Sequence, residues 1–358
     1  MKQILTIIIA MLCISGVRAQ IYHDMRGYIV YGTLAPDAAK SYSRLPDSLS
    51  TQVRESLWNM GQNSAGLSIR FTTNATDIYA RWSSLNQTKM NHMNPVGIRG
   101  LDLYVLNDDH TWAFVGSAIP SSKEETKATI VKGMNAKMRD YLLFLPLYDG
   151  IYDLQIGVNK GAVIKEPENA VICREKPVVM YGTSILQGGC ASRPGMAHTN
   201  ILQRMLNREV FNLGFSGNGH LDPEIASLMA SKDAGVYVID VLPNNTIKSL
   251  GTKLEPFYRI LRDAHPDTPI LLVESPLYPR TRIDAPYRKG IVALNGALRD
   301  FYNRMVAEGD SNIHYFEGKD ILDDDCEGSI DGIHFTDIGF KNFAHRLYPV
   351  LLNLLEKE

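Results

Sequence analysis

Three segments far apart in the chain carry the groups that serine-based acyl transfer needs: Gly182-Thr183-Ser184-Ile185 after an apolar run, Leu242-Pro243-Asn244-Asn245, and Asp331-Gly332-Ile333-His334. A hydroxyl is a weak nucleophile until an imidazole takes its proton and a carboxylate orients that imidazole. Ser184 is the candidate nucleophile, and its own backbone N–H is one candidate oxyanion donor. Asp331 and His334 stand three residues apart, so one turn of chain brings the carboxylate to one ring nitrogen and leaves the other for Ser184. The Asn244 amide is a second candidate donor, a contact typically worth ~3 kcal/mol of transition-state stabilisation in hydrolases. The backbone N–H of Gly217, in the glycine-rich stretch Asn212 to Gly219, is a third, open to approach because glycine has no side chain.

Each segment also has an ordinary reading. A strand ending in glycine and serine is a turn, as is an asparagine after a strand. The glycine-rich stretch is a flexible loop, since its spacing is wrong for Gly-x-Gly-x-x-Gly and no Gly-Lys-Ser/Thr follows. Asp331 or Thr336 can simply cap the closing helix. Leu186 stands where the α/β-hydrolase elbow Gly-x-Ser-x-Gly requires its second glycine, which excludes that family.

The elements that must position these groups divide the chain in two. From about Gln20 to Val171, Leu67 to Phe71, Ile78 to Trp82, Leu101 to Val105 and Tyr152 to Ile156 alternate apolar with polar residues, which predicts strands with one buried face. Short strands in series favour a β-sandwich or jelly roll, with a helix expected only around Ser48 to Trp58. After Glu175-Lys-Pro177 strands alternate with helices: strands at Val178 to Tyr181, Val210 to Leu213, Val236 to Val241, Ile270 to Val273 and Ile313 to Phe316. Helices are expected over Met196 to Asn207, Pro223 to Ser231, Leu250 to Ala264, Tyr287 to Ala307 and Asp337 to about Leu355. That rhythm predicts a parallel sheet covered on both faces, with ligands beyond the carboxyl ends of its strands. Ser184, Gly217 and Asn244 each follow such a strand.

Composition narrows the setting. Lys2, the apolar stretch Ile4 to Ile14 and the small residues ending at Ala19 read as a cleavable secretory signal over residues 1–19. No later stretch approaches the ~20 apolar residues of a membrane span, so no integral membrane segment is expected after cleavage. Without Lys2 and Arg18, 35 basic side chains face 39 acidic ones, a mild balance that argues against nucleic acid or an anionic membrane as partner. The expected divisions are the signal at 1–19, an accessory β-domain at 20–172 and the α/β domain at 173–358. Mature cysteines are Cys173, Cys190 and Cys326, an odd count that allows one disulfide of open pairing. Neither paired-cysteine metal spacing nor His-Glu-x-x-His occurs, so neither metal nor cofactor is expected.

The ordered set of Ser184, Gly217, Asn244 and Asp331 with His334 resembles the SGNH, or GDSL-like, hydrolase superfamily over about residues 176 to 357. Gly100-Leu-Asp-Leu-Tyr104 is similar to the Gly-x-Asp-Leu-Tyr signature of the domain that precedes one branch of it. Tyr181 to Ile185, Gly189 to Gly195 and Asp240 to Asn244 are similar to stretches of the same branch. Thr183 replaces the aspartate of Gly-Asp-Ser and Pro243-Asn244-Asn245 replaces Gly-Asn-Asp, without loss of a proposed catalytic group. The resemblance implies a three-layer flavodoxin-like α/β domain after a jelly-roll-like β-sandwich. It further implies an exported, periplasmic or extracellular, carbohydrate acetylesterase acting on an acetylated saccharide or polysaccharide. Arg193, close after Ser184, is then a candidate to line the pocket and hold an acidic sugar; its alternative is a structural arginine paired with an internal acid. The competing functions are a non-catalytic glycan-binding surface protein and a lipase or thioesterase of the same superfamily. Oligomeric state stays open.

Overall fold

The computed structural model describes residues 19–35, 42–121, 123–168, 175–323 and 325–356. The expected secretory signal and Cys173 lie outside them. Strands β1 (Gln20–Asp24), β2 (Val30–Tyr31), β3 (Ser68–Thr73), β4 (Ile78–Ser84), β5 (Leu101–Leu106), β6 (Trp112–Ala118), β7 (Glu125–Val131), β8 (Arg139–Phe144), β9 (Ile151–Asn159) and β10 (Ile164–Lys165) form the first half. They pair into two antiparallel sheets, one ordered β1-β9-β4-β7, the other β10-β3-β8-β5-β6 with β2 on β3. Ile69, Phe71, Leu103 and Leu143 from one sheet interleave with Ile78, Trp82, Ile156 and Val158 from the other, all buried. Alternation along the strands thus builds a sandwich.

Its second sheet is covered on its outer face at the central strand. Every residue of β3 is buried, including the outward-facing Ser68, Arg70 and Thr72. The α/β half meets Ser68, to whose Oγ Gln203 Nε2 donates at 2.9 Å, whereas Arg70 pairs with Asp140 and lies over the Trp112 ring of the same sheet. The helix expected around Ser48 to Trp58 is instead a 3-10 turn at Asp47–Leu49 followed by an α-helix at Glu55–Gly61. A short helix at Pro95–Arg99 was not expected. Asn94 caps it, accepting from the Val96 N–H at 2.8 Å, and Pro95 occupies the first helical position.

The second half holds five parallel strands, β11 (Val178–Gly182), β12 (Val210–Gly214), β13 (Val236–Asp240), β14 (Ile270–Val273) and β15 (Ile313–Phe316), in the order β12-β11-β13-β14-β15. Their apolar runs are continuous because both faces are covered. Val178, Met180 and Val238 face the helices His198–Leu206 and Asp337–Leu355, whereas Val179, Tyr181 and Ile239 face Pro223–Ala230, Ile247–Ala264 and Ala285–Ala307. This is the expected three-layer flavodoxin-like arrangement, with the order 2-1-3-4-5.

The two halves share their cores. Leu45, Leu49 and Leu57 pack with Phe215 and Leu221, and Met93, Ile98, Leu147 and Tyr148 pack with Ile185 and Ala191. Fully buried Arg44 donates to the carbonyls of Met60, Asn63, Asn212 and Gly214 at 2.5, 2.9, 3.2 and 2.5 Å, tying the first half to the end of β12. Burial lowers its guanidinium to about 9. Cys190 and Cys326 are both free thiols and do not pair with each other. No helix among the described residues is long and apolar enough to cross a membrane.

Candidate active site

Gly182, at the end of β11, lies in register between Gly214 of β12 and Asp240 of β13. Neighbouring strands run about 4.8 Å apart. The segments leaving these three strands therefore start side by side at the carboxyl edge, where the chain crosses from one side of β11 to the other. They carry Ser184, Gly217 and Asn244.

Ser184 opens a one-turn helix, Ser184–Gln187, that ends at Gly188 in the left-handed region. The first N–H groups of a helix have no partner within it, so the Ser184 N–H faces outward from the ladder. The Ser184 carbonyl is held by the Gly188 and Gly189 N–H groups and by the Tyr148 hydroxyl at 3.2 Å. Buried Gln187 donates to the Leu147 carbonyl at 3.0 Å and accepts from the Ser216 N–H at 2.8 Å. The nucleophile turn, the glycine-rich loop and the first half are thus tied at one side chain.

His334 Nε2 lies 2.9 Å from Ser184 Oγ, and His334 Nδ1 lies 2.7 Å from Asp331 Oδ2. The other carboxylate oxygen accepts from the backbone N–H groups of Ile333 and His334 at 3.0 and 2.8 Å. Partial burial alone would raise the Asp331 carboxyl, but the His334 ring and these two N–H groups outweigh it and hold the group below the usual carboxylate range. The ordinary reading of Asp331 as a helix cap does not apply, because Thr336 caps the closing helix, accepting from the Gly339 N–H at 3.4 Å. Asp337, in that helix's first turn, accepts from Ser192 N–H and Oγ at 2.8 and 2.5 Å, fastening the histidine loop to the segment after the nucleophile.

Asn244 Oδ1 accepts from the Gly219 N–H at 3.1 Å, which leaves the amide N–H groups as what the side chain offers. Asn245 grips the same loop, donating to the Gly219 carbonyl at 2.8 Å. Gly217 stands in that loop at φ +65°, with no atom within 4 Å of where a side chain would begin. Both candidate donors therefore sit on loops that hold each other.

Arg193 is placed elsewhere than expected. Its guanidinium donates to Asp102 at 2.7 Å and to the Tyr104 hydroxyl at 2.6 Å, and lies 3.8 Å from the Phe114 ring centroid. Asp102 is fully buried and also accepts from the Gly195 N–H at 2.8 Å. A side chain at Gly195 would meet the Tyr104 hydroxyl at 2.3 Å. The aspartate and tyrosine of Gly100-Leu-Asp-Leu-Tyr104 thus clasp Arg193-Pro-Gly195, and the arginine has the structural role, paired with an internal acid, rather than the sugar contact.

Residues missed by sequence reasoning complete the surroundings. A cleft of about 630 Å³ is lined by Asn59, Gln62, Asn63 and Asn86 from the first half, beside Tyr148 and Ser216. Buried Asp149 accepts from the Asn86 and Thr88 N–H groups, both at 2.9 Å, and so shapes the loop that borders it. That loop carries His92, whose ring centroid is 5.7 Å from that of His334. Beside them, burial and the Asp331 charge push the Cys190 thiol up to about 12. Only the Cys190 neighbourhood had a signal, as part of the Gly189 to Gly195 stretch.

Residues 175–352 match the model of the GDSL-like Lipase/Acylhydrolase family, and residues 21–164 match the GxDLY model, described as the N-terminus of Esterase_SGNH_hydro-type. A protein from Bacteroides ovatus described as a GDSL-like lipase is similar at 31% identity and a TM-score of 0.89, over 94% of this chain and 98% of that one. The chain belongs to the GDSL-like lipase/acylhydrolase family. Ester hydrolysis of the SGNH type is therefore its class of activity. The family fold extends to a salicylyl-acyltransferase from a tetracycline biosynthetic pathway, at 18% identity and TM-score 0.75 over 94% of this chain and 98% of that one. It extends also to a family two carbohydrate esterase from Clostridium thermocellum solved with cellohexaose, at 14% identity and TM-score 0.60 over 82% and 93%. A comparison with curated proteins gave no match.

Proposed function

We propose that the chain is an exported serine esterase that removes acetyl groups from a carbohydrate. The observation that carries this reading is the unbroken hydrogen-bond path from Ser184 Oγ through His334 to Asp331. In it His334 takes the Ser184 proton as Oγ attacks the acetyl carbonyl, and Asp331 stabilises the imidazolium. The Ser184 and Gly217 N–H groups and the Asn244 amide hold the oxyanion. His334 then protonates the departing sugar hydroxyl. In the second step it activates water, which releases acetate and restores Ser184. This route uses no cofactor.

The sugar reading draws on the cleft, where the amides of Asn59, Gln62, Asn63 and Asn86 offer donors and acceptors in pairs for sugar hydroxyls and Met60, Leu85 and Met90 supply apolar surface for a sugar-ring face. Its fold likeness to an esterase solved with an oligosaccharide points the same way. A longer acyl chain is the second reading, favoured by the exposed Ile330 and Ile333, which immediately precede Asp331 and His334 in the chain. Export rests on the composition of residues 1–19. Acetate release from a panel of acetylated polysaccharides, run beside aryl esters of increasing chain length, tests the substrate. Release from at least one polysaccharide and a sharp fall in aryl-ester rate beyond acetyl are expected. Rates that rise with chain length would contradict the acetyl assignment and favour the lipase or thioesterase, whereas glycan binding with no hydrolysis of any ester would favour the binding protein.

A further inference from the structure

We propose that His92, Cys190 and His334 form a zinc-binding site whose occupancy switches the esterase off. Each residue offers one ligand atom, and these atoms lie within 4.8 Å of one another. Around a tetrahedral zinc, with bonds of about 2.0–2.3 Å, neighbouring nitrogen and sulfur donors stand roughly 3.3–3.6 Å apart. The three groups must therefore close by about an ångström, a movement that His92, exposed on its loop, can supply. The adjacent Met93 is buried in the same core as Cys190 and Ala191, which holds the loop beside the thiol while the His92 side chain stays free to turn.

The donor set fits the ion. Two imidazoles and a thiolate suit zinc and exclude magnesium and calcium, which prefer oxygen. Asp331 already holds His334 Nδ1, the carboxylate–histidine arrangement that orients metal-bound imidazoles, and this leaves Nε2 to coordinate. The Cys190 thiol gives up its proton to solvent as the Zn–S bond forms. Three protein ligands leave a fourth position for water or Ser184 Oγ.

The lone pair that zinc would take is the one that would receive the Ser184 proton, since Nε2 faces Oγ at 2.9 Å. Zinc and the nucleophile therefore compete for one nitrogen. The ligands come from both halves of the chain, so the metal would also fasten the sandwich loop over the nucleophile. The switching part rests on the proposed role of His334 as base; the binding part does not.

The full chain, stripped with a chelator, is titrated with Zn²⁺ alone under equilibrium dialysis and with Co²⁺ under absorption spectroscopy, beside His92→Ala and Cys190→Ser. One zinc per chain is expected, with a thiolate-to-cobalt charge-transfer band that Cys190→Ser removes. Both substitutions should weaken zinc binding by about tenfold or more, the scale of loss typical when a metal site loses a supporting group. His92→Ala, a surface change, should hydrolyse esters like the parent without metal and need correspondingly more zinc for inhibition. Absence of stoichiometric binding at millimolar zinc, or equal affinity in Cys190→Ser, would overturn the site while leaving His334 as base. Tight binding lost in both variants, with hydrolysis undiminished by zinc, would overturn the switch and the role of His334 together.

Discussion

Buried polar groups do different work in the two halves of this molecule. In the sandwich they end on each other or on the neighbouring half: Asp102 on Arg193 and the Gly195 N–H, Asp149 on two loop N–H groups, Ser68 on Gln203. In the α/β half the path from buried Ser184 runs out through His334 and Asp331, both partly exposed. The sandwich uses these polar side chains to fix position, whereas the α/β half, beside residues such as Gln187 that do the same, leaves Ser184, His334 and Asp331 available for chemistry. The difference teaches that the sandwich is a scaffold for the site as much as an appended module, because the loops that border Ser184 are held from its side.

The sharpest way to break this contrast is to open the clasp. Asp102→Ala leaves Arg193 without its buried acid, and breaking a buried pair typically costs about 3–5 kcal/mol. Chemical denaturation should show that loss, whereas the residual activity of the folded fraction should fall less than in variants of the site itself. Unchanged stability would mean that the halves are not held together at Asp102.

Asn244→Ala probes the other half. Loss of one oxyanion donor typically lowers kcat by about 10²–10³-fold, roughly 2.7–4 kcal/mol. Because Asn244 also holds the Gly219 N–H, circular dichroism must show an intact fold for the comparison to count. A kcat within a few-fold of the parent would remove Asn244 from the proposed oxyanion site.

The contrast between halves was only partly legible in the sequence. The α/β elements are read to within a few residues, because strands buried on both faces and amphipathic helices repeat with distinct periods. The sequence alone puts Ser184, Gly217 and Asn244 just beyond the ends of those strands, and Asp331 and His334 ahead of the closing helix. β8, by contrast, passes unnoticed because Tyr141 to Phe144 are all buried, Tyr141 and Leu143 in the sandwich core and Leu142 and Phe144 clustered with Tyr104 and Trp112 on the opposite face, so no alternation shows. Arg193 was ambiguous because Asp102 stands 91 residues away in the chain. His92 has no local pattern at all; only folding carries it to His334.

A third effect, read as a pH dependence of stability, concerns Asp240 at the end of β13, whose carboxyl burial pushes up to about 7. The folded chain then keeps a proton that the unfolded chain gives up near the ordinary carboxylate value. Its contribution is most favourable below that value, declines as pH rises towards 7 and is flat above. Asp240→Asn should remove that decline, so thermal stability should vary less between pH 4 and 7 than in the parent, with the gain at pH 8 partly offset by the buried amide. An identical pH profile in the variant would show that Asp240 is ionised in the folded state.

The central claim is that Ser184, activated by His334 and Asp331, is the group that attacks the ester. Reaction with a serine-directed fluorophosphonate, followed by peptide mass spectrometry, tests it directly. A single adduct on Ser184 that forms in step with loss of ester hydrolysis, and that fails to form in His334→Ala, is the predicted result. Full labelling of Ser184 without loss of hydrolysis, or inactivation with the adduct on another residue, would contradict it.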